Sequence, residues 1–203
     1  MLEYTGERII PEKMKITNGM LLEHLARYYF SLYYANGRLL DFACGTGYGS
    51  NIIAKAAKDK ITEVVAVDID PLTIQYAKQN YYHPKVTFTL GDVTNSEIVK
   101  SLGTFDVIVS FETIEHIEDE VQFLNNVYNL LKPGGTLVIS TPFGAGRGMQ
   151  TKEPFHVHQL TEQEFYSLFS RYSSTEVFYQ RSVLIEPKRP GKHYPIGIAV
   201  CIK

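Results

Sequence analysis

The sequence predicts an α/β fold built on a mostly parallel sheet, and three observations carry that expectation. Short β-branched runs such as Val64-Val65-Ala66-Val67 alternate with segments of helical periodicity, the pattern of consecutive βαβ units. These runs are apolar almost throughout rather than at every second residue, as strands covered on both faces are. A glycine-rich turn, Gly45-Thr46-Gly47-Tyr48-Gly49, follows the first run and opens a helix.

The elements follow in order. Residues 1–18 read as irregular, punctuated by Gly6, Pro11 and Asn18. From Gly19 to about Tyr34, the apolar residues Met20, Leu21, Leu25, Tyr28, Tyr29 and Leu32 fall at helical spacing. The aromatic residues there (Tyr28, Tyr29, Phe30, Tyr33, Tyr34) could wall a substrate pocket, with core packing the favoured reading. Asn36-Gly37 ends that helix, because glycine tolerates the left-handed conformation past a C-terminus. Leu39 to Phe42 is the first strand and Tyr48 to about Ala57 the next helix. Val64 to Asp68 is the second strand, and Pro71 to about Tyr81 a helix with proline where a missing N–H is harmless. Val86 to Leu90 is the third strand, ending in Gly91-Asp92, and Asn95 to Leu102 a short helix. Phe105 to Ser110 is the fourth strand. Glu118 to Leu131 is a helix stopped by Lys132-Pro133-Gly134-Gly135, and Thr136 to Ser140 the fifth strand. Thr161 to about Phe169 is a helix, with Thr161 and Glu164 at capping-box spacing. Thr175 to Arg181 and Ile196 to Ile202 have no helix between them, so they are expected to pair as an antiparallel hairpin.

The bulk properties narrow the class. A chain of 203 residues fits one domain: 1–36 as an N-terminal lid and helix, 37–145 as a ligand-binding core, and 146–203 as a substrate-side loop, helix and hairpin. A net charge of −2 argues against a nucleic-acid partner that needs a broad basic face. Cys44 and Cys201 lack metal-ligand spacing and form no disulfide framework, which fits a reducing cytoplasm. No run of about 18 apolar residues predicts a membrane span. Whether the chain pairs as a homodimer is left open.

In open parallel α/β sheets, ligands bind beyond the carboxyl ends of the strands. Polar residues collect there: Asp41, Asp68, Asp92 and Ser110-Phe111-Glu112. Asp41 just before the turn would repel a pyrophosphate and suit a cationic ligand. The turn is G-x-G-x-G, and Ser50 stands where the third glycine of a dinucleotide-binding turn belongs. Asp68 could accept two hydrogen bonds from a ribose diol, or cap the next helix. Asp92 could accept an amino hydrogen from a base, or serve the turn. Phe111 could cover a ring, or lie in the core.

Taken together, Leu39 to Ser50, Val64 to Asp70, Gly91-Asp92, Phe105 to Ile117 and LLKPGGTLVIST (Leu130 to Thr141) resemble the ordered motifs of class I S-adenosylmethionine-dependent methyltransferases. The resemblance implies a Rossmann-like seven-stranded sheet with helices on both faces and a reversed last strand. It implies S-adenosyl-L-methionine as cofactor and S-adenosyl-L-homocysteine as product. Asp41 and the turn at Ala43, Cys44, Gly45 and Gly47 would hold the methionine moiety. Asp68 with Ile69 would hold the ribose, Asp92 with Val93 the adenine, and Ser110 and Phe111 would complete the pocket. Ala43 replaces a glycine often seen in the turn, a change expected to be tolerated at negative φ. Thr5-Gly6-Glu7-Arg8 with Pro11, FETIEH and PFHVHQLTEQEF are similar to methyltransferases of glycan and cell-surface polysaccharide synthesis, implying a small-molecule acceptor such as a sugar or nucleotide-sugar hydroxyl.

Methyl transfer to a hydroxyl needs alignment and loss of a proton, which a neutral histidine can accept near pH 7. The catalytic candidates are His116 after the fourth strand, His156 in the irregular segment after the fifth, and Glu112. Arg8 could meet the cofactor carboxylate or an anionic substrate if the N-terminal segment closes over the site, or be an exposed arginine of the terminus. His156 and His158 at i and i+2 would face the same way in an extended segment, but no further ligands identify themselves, so no metal is expected. Cys44 is not expected to act as a nucleophile. The competing classes are a nicotinamide-dependent oxidoreductase and a non-catalytic cofactor-binding domain.

Overall fold

The computed structural model describes residues 6–151 and 153–203, so Thr5 lies outside the described residues. Strands β1 (Gly37–Phe42), β2 (Ile61–Asp68), β3 (Val86–Leu90), β4 (Phe105–Phe111), β5 (Leu131–Pro142), β6 (Ser174–Arg181), β7 (Leu184–Glu186) and β8 (Ile196–Ile202) form one sheet in the order β3-β2-β1-β4-β5-β8-β6-β7. The first five are parallel to one another, whereas β8 runs antiparallel to both β5 and β6. The order reverses between β1 and β4, which opens a crevice at their carboxyl ends.

The apolar runs are continuous because both faces are covered. Leu40, Phe42 and Ile108 are buried in one cluster with Phe123 and Val127 of helix α5 (Glu120–Leu130). Leu39, Val107 and Val109 belong to the opposite cluster, with Tyr28 of α1 (Gly19–Ser31) and Ile53 of α2 (Tyr48–Ala56). Side chains alternate across a strand, so neighbouring leucines in β1 serve opposite layers. Helix α3 (Pro71–Asn80) begins at an Asp70 N-cap whose side chain accepts from Leu72 N. The helix-capping alternative for Asp68 therefore falls to Asp70. Helix α4 is Glu97–Leu102, and α6 is Glu162–Ser167 with the Thr161/Glu164 capping box formed.

The sheet departs from expectation in its strand count and at its last edge. Among the described residues it has eight strands rather than seven. The additional β7 lies in the proline-rich and basic loop and pairs only with β6 over three positions, too short a run to show periodicity. The expected antiparallel pairing of β6 with β8 is present, but β7 intervenes in sequence, so the two are not an adjoining hairpin. The Lys-Pro-Gly-Gly segment stops α5 but is itself part of β5, with Leu131 opposite Phe105. The first helix carries less core than expected, since Tyr29 and Tyr33 are exposed. Pro11–Lys13 forms a short 3-10 turn.

Gly49 shows how tightly the helices seat on the turn. A Cβ added there would lie 1.9 Å from Tyr28 Cζ. Overpacking of this kind costs about 1–3 kcal/mol. Gly49→Ala is therefore expected to lower the thermal unfolding midpoint by several degrees while Gly19→Ala, where an added Cβ meets nothing within 4 Å, leaves it near wild type; calorimetry of the two variants checks this.

Candidate functional site

The glycine turn is fixed by its own backbone and by the neighbouring strand. Ala43 and Cys44 N–H both donate to Val67 O, at 2.9 and 2.8 Å. Gly45 N–H donates to Asp68 Oδ2 at 2.8 Å, and Asp70 N–H to Asp68 Oδ1 at 3.0 Å. Gly47 is at φ 86° and caps α2; a Cβ there would sit 2.5 Å from Phe88. It shapes the turn from behind and does not line the crevice. At Gly45 (φ 54°) an added Cβ would meet nothing within 4 Å, so this residue faces open space.

Ala43 corrects the sequence expectation: its φ is 74°, in the left-handed region, a conformation unfavourable for a residue bearing a Cβ. The double hydrogen bond to Val67 O holds it there. Glu112 has φ 49°, with its N–H near Ser140 and its Oε1 accepting from Ser140 Oγ at 2.7 Å. Strained non-glycine residues tend to cluster at functional sites. Both of these line the same cavity.

That cavity has a volume of about 440 Å³ and sits at the carboxyl ends of β1, β2 and β4. Ala43, Cys44, Gly45, Asp68, Ile69, Asp92 and Val93 line one side. Asp92 also serves its turn, its Oδ1 accepting from Thr94 N at 2.8 Å and Thr94 Oγ1 at 2.7 Å. Phe111, Glu112, Thr113, His116 and Ile117 line the other side. Phe111 meets both alternatives, since it is 7% exposed yet reaches the cavity, edge-on to Tyr28. Arg8 lies on the wall, paired with Asp70 at 2.7 Å.

Three expected contacts are not on the wall. Ser110 is fully buried, its Oγ donating to Phe42 O at 2.7 Å. Gly47 is turned away, as above. Asp41 lies beneath the turn, 1% exposed, accepting from Ser50 Oγ at 2.6 Å and Tyr28 OH at 3.3 Å. The reason is strand alternation: Asp41 shares a face with Leu39, toward α1 and α2. Burial raises its pKa to about 7, against the opposing hydrogen bonds from Ser50 and Tyr28. Burial likewise raises Asp68, against the N–H groups of Asp70 and Gly45.

The histidines divide. His116 Nδ1 is 2.9 Å from Phe155 O; a carbonyl can only accept, so Nδ1 carries the proton and Nε2 is free to accept. His156 is outside the cavity wall and its ring is T-shaped to His116 at 4.9 Å. His158 instead turns to Glu120, with 3.2 Å from Nε2 to Oε2. The expected common orientation of His156 and His158 is lost because the chain bends at Val157. Burial lowers the His156 and His158 pKa values.

Sequence reasoning missed Glu7, His24, Tyr48 and Thr113 on the wall, while Tyr28 meets both of its readings, buried in the core and lining the cavity. His24 and Tyr28 are one helical turn apart, a signal that could have been read. His24 Nδ1 is 3.2 Å from Tyr48 OH, and burial, with Arg27 nearby, holds its pKa well below the usual range. Glu7 and Tyr48 carry no local signal; the fold alone brings them in.

Comparison with known proteins gives a consistent picture. Residues 34–183 match the family described as "Methyltransferase domain". A protein of Mycolicibacterium smegmatis named "Probable S-adenosylmethionine-dependent methyltransferase" is 33% identical over 172 residues, 82% of this chain and 63% of that protein. A "Ubiquinone biosynthesis O-methyltransferase" of Cereibacter sphaeroides is 34% identical over 51% of this chain and 40% of its own length. The chain thus spans less than two thirds of the length of these relatives. Among solved structures, a TehB-like SAM-dependent methyltransferase from Corynebacterium glutamicum superposes with a TM-score of 0.62 at 27% identity, covering 88% of this chain and 86% of that one.

The buried Asp41 makes a pH prediction. Its carboxyl is raised in the folded chain, so between the unfolded pKa of about 3.9 and the folded value the native state binds more protons and stability falls as pH rises. The wild type should lose stability relative to Asp41→Asn across pH 4 to 7, by on the order of 3–4 kcal/mol. Denaturant titrations of the pair at several pH values check it; parallel curves would contradict it.

Proposed function

We propose, since this chain belongs to the S-adenosylmethionine-dependent methyltransferase family, that it moves a methyl group from that cofactor to a hydroxyl of a small polar acceptor, such as a sugar or nucleotide sugar. The observation that carries this reading is that Asp68, Asp92, the open face of Gly45 and a histidine with a free ring nitrogen line one cavity.

The residues fit the cofactor. Gly45 lines the cavity, and an added Cβ there would meet nothing within 4 Å, so glycine leaves room for a ligand to lie against the backbone. The Asp68 oxygens each take one backbone N–H and retain lone pairs for a ribose diol. Asp92 stands one strand further along for the adenine amino group, with Ile69 and Val93 as apolar walls. Bound S-adenosylmethionine supplies an electrophilic methyl on a sulfonium. Its positive charge suits a rim that holds Asp68, Asp92, Glu112 and Glu7. Asp41 acts from behind the wall, through Tyr28 and the turn.

On the acceptor side, Glu112, Thr113 and His116 favour a hydroxyl-bearing molecule over an apolar one. His116 Nε2 accepts the proton as the O–C bond forms and the C–S bond breaks. Holding the reactants in line can supply about 7–11 kcal/mol of barrier reduction. The name of the Cereibacter relative supports oxygen as the methylated atom. The G-x-G-x-G spacing and the use of Ser50 to hold Asp41 set the turn apart from a nicotinamide-binding one.

The test is incubation with S-adenosylmethionine and a panel of nucleotide sugars and simple glycosides, with methylated product read by mass spectrometry. Asp68→Ala should weaken S-adenosylhomocysteine binding about 10–100-fold, the worth of hydrogen bonds to a charged group. His116→Ala should lower kcat about 10²–10⁴-fold with that binding unchanged. Full turnover in His116→Ala contradicts the base assignment. Cofactor binding without methylation of any hydroxyl contradicts the acceptor reading.

A further inference from the structure

Beside the cavity, three side chains from distant parts of the chain converge: Glu7 of the N-terminal segment, His116 after β4 and His156 of the loop before α6. One ligand-competent atom from each lies within 4.8 Å of the other two. His116 Nε2 is 3.9 Å from Glu7 Oε2, and His156 Nε2 is 3.6 Å from Glu7 Oε1. Both separations are too long for hydrogen bonds. Two groups sharing one tetrahedral water would stand about 4.6 Å apart, from hydrogen bonds of about 2.8 Å. Two ligands of one tetrahedral ion stand about 3.4 Å apart, from bonds of about 2.1 Å. The two histidine–Glu7 separations, each to its own carboxylate oxygen, lie closer to the second.

Two independent features point the same way. The His116 ring is oriented by its Nδ1–H donating to Phe155 O at 2.9 Å, the outer-shell arrangement that presents the other nitrogen to a metal. The His156 side chain is only 9% exposed, so its Nε2, 3.6 Å from Glu7 Oε1, is held largely out of water beside the carboxylate.

We propose that Glu7, His116 and His156 form a binding site for a divalent first-row transition cation of the zinc type, with an open coordination position toward the cavity. Two imidazoles and one carboxylate suit zinc, cobalt, nickel or iron(II) rather than magnesium, which prefers an all-oxygen octahedron. Glu7 and His116 both line the cavity, which is where the open position points. This is not the His156/His158 pair considered from sequence, since His158 faces Glu120. The ion takes the Nε2 lone pair of His116, so the base role above belongs to the metal-free protein.

The experiment is calorimetric titration of chelator-treated protein with zinc chloride, and in parallel with magnesium chloride, for wild type, Glu7→Gln and His156→Gln. Thermal melts of each variant confirm that it is folded. The expected result is one equivalent of zinc bound by the wild type, no magnesium binding, and affinity at least tenfold weaker in each variant. The absence of stoichiometric zinc binding overturns the proposal. Zinc binding that persists unchanged in both folded variants also overturns it, because the ion then sits elsewhere. The titration uses no acceptor and no turnover, so a failed titration leaves the methyl-transfer reading standing.

Discussion

The site rests on one buried carboxylate. Asp41 is enclosed where the first strand runs into the glycine turn, and two hydroxyls from different helices converge on it, Ser50 of α2 and Tyr28 of α1. An unpaired polar group there would be costly, so both helices must be seated for the carboxylate to be satisfied. The seating in turn requires Gly49, whose missing Cβ lets the Tyr28 ring lie against α2. Tyr28 then packs its ring against Phe111 and Tyr48 and lines the cavity. A single interaction thus connects the strand, the turn, both helices and the wall.

Around that anchor the rim is acidic and desolvated. Burial pushes both Asp41 and Asp68 upward, and Glu115 behind the acceptor side well above the carboxylate range, with Glu112 adding to the effect on Glu115. Burial of these carboxyl groups works against their ionised forms, and a positive charge placed beside them would favour ionisation. The left-handed φ values at Ala43 and Glu112 belong to the same account. They place cavity-facing residues where a relaxed chain would not.

Much of this was legible in the sequence, for reasons that particular residues show. Asp68 and Asp92 could be placed because they end apolar runs, and the end of a buried parallel strand is the sheet's binding edge. Gly45 could be read because glycine marks close approach. Asp41 was misplaced on the wall, although strand alternation with Leu39 would have turned it inward. Ala43 concealed its φ because alanine carries no signal for the left-handed region. Glu7 stands more than a hundred residues from its neighbours His116 and His156, and no local pattern reports a contact made only by the closed fold. β7 is three residues long, below the length at which alternation is visible.

The central claim is that the crevice between β1 and β4 is built for a sulfonium nucleoside rather than a dinucleotide. The most direct test is equilibrium dialysis of the wild-type protein against S-adenosylmethionine and NADH in separate cells. The account predicts saturable micromolar binding of S-adenosylmethionine, worth about 8 kcal/mol, and none of NADH. Saturable binding of NADH with no retention of S-adenosylmethionine would contradict it.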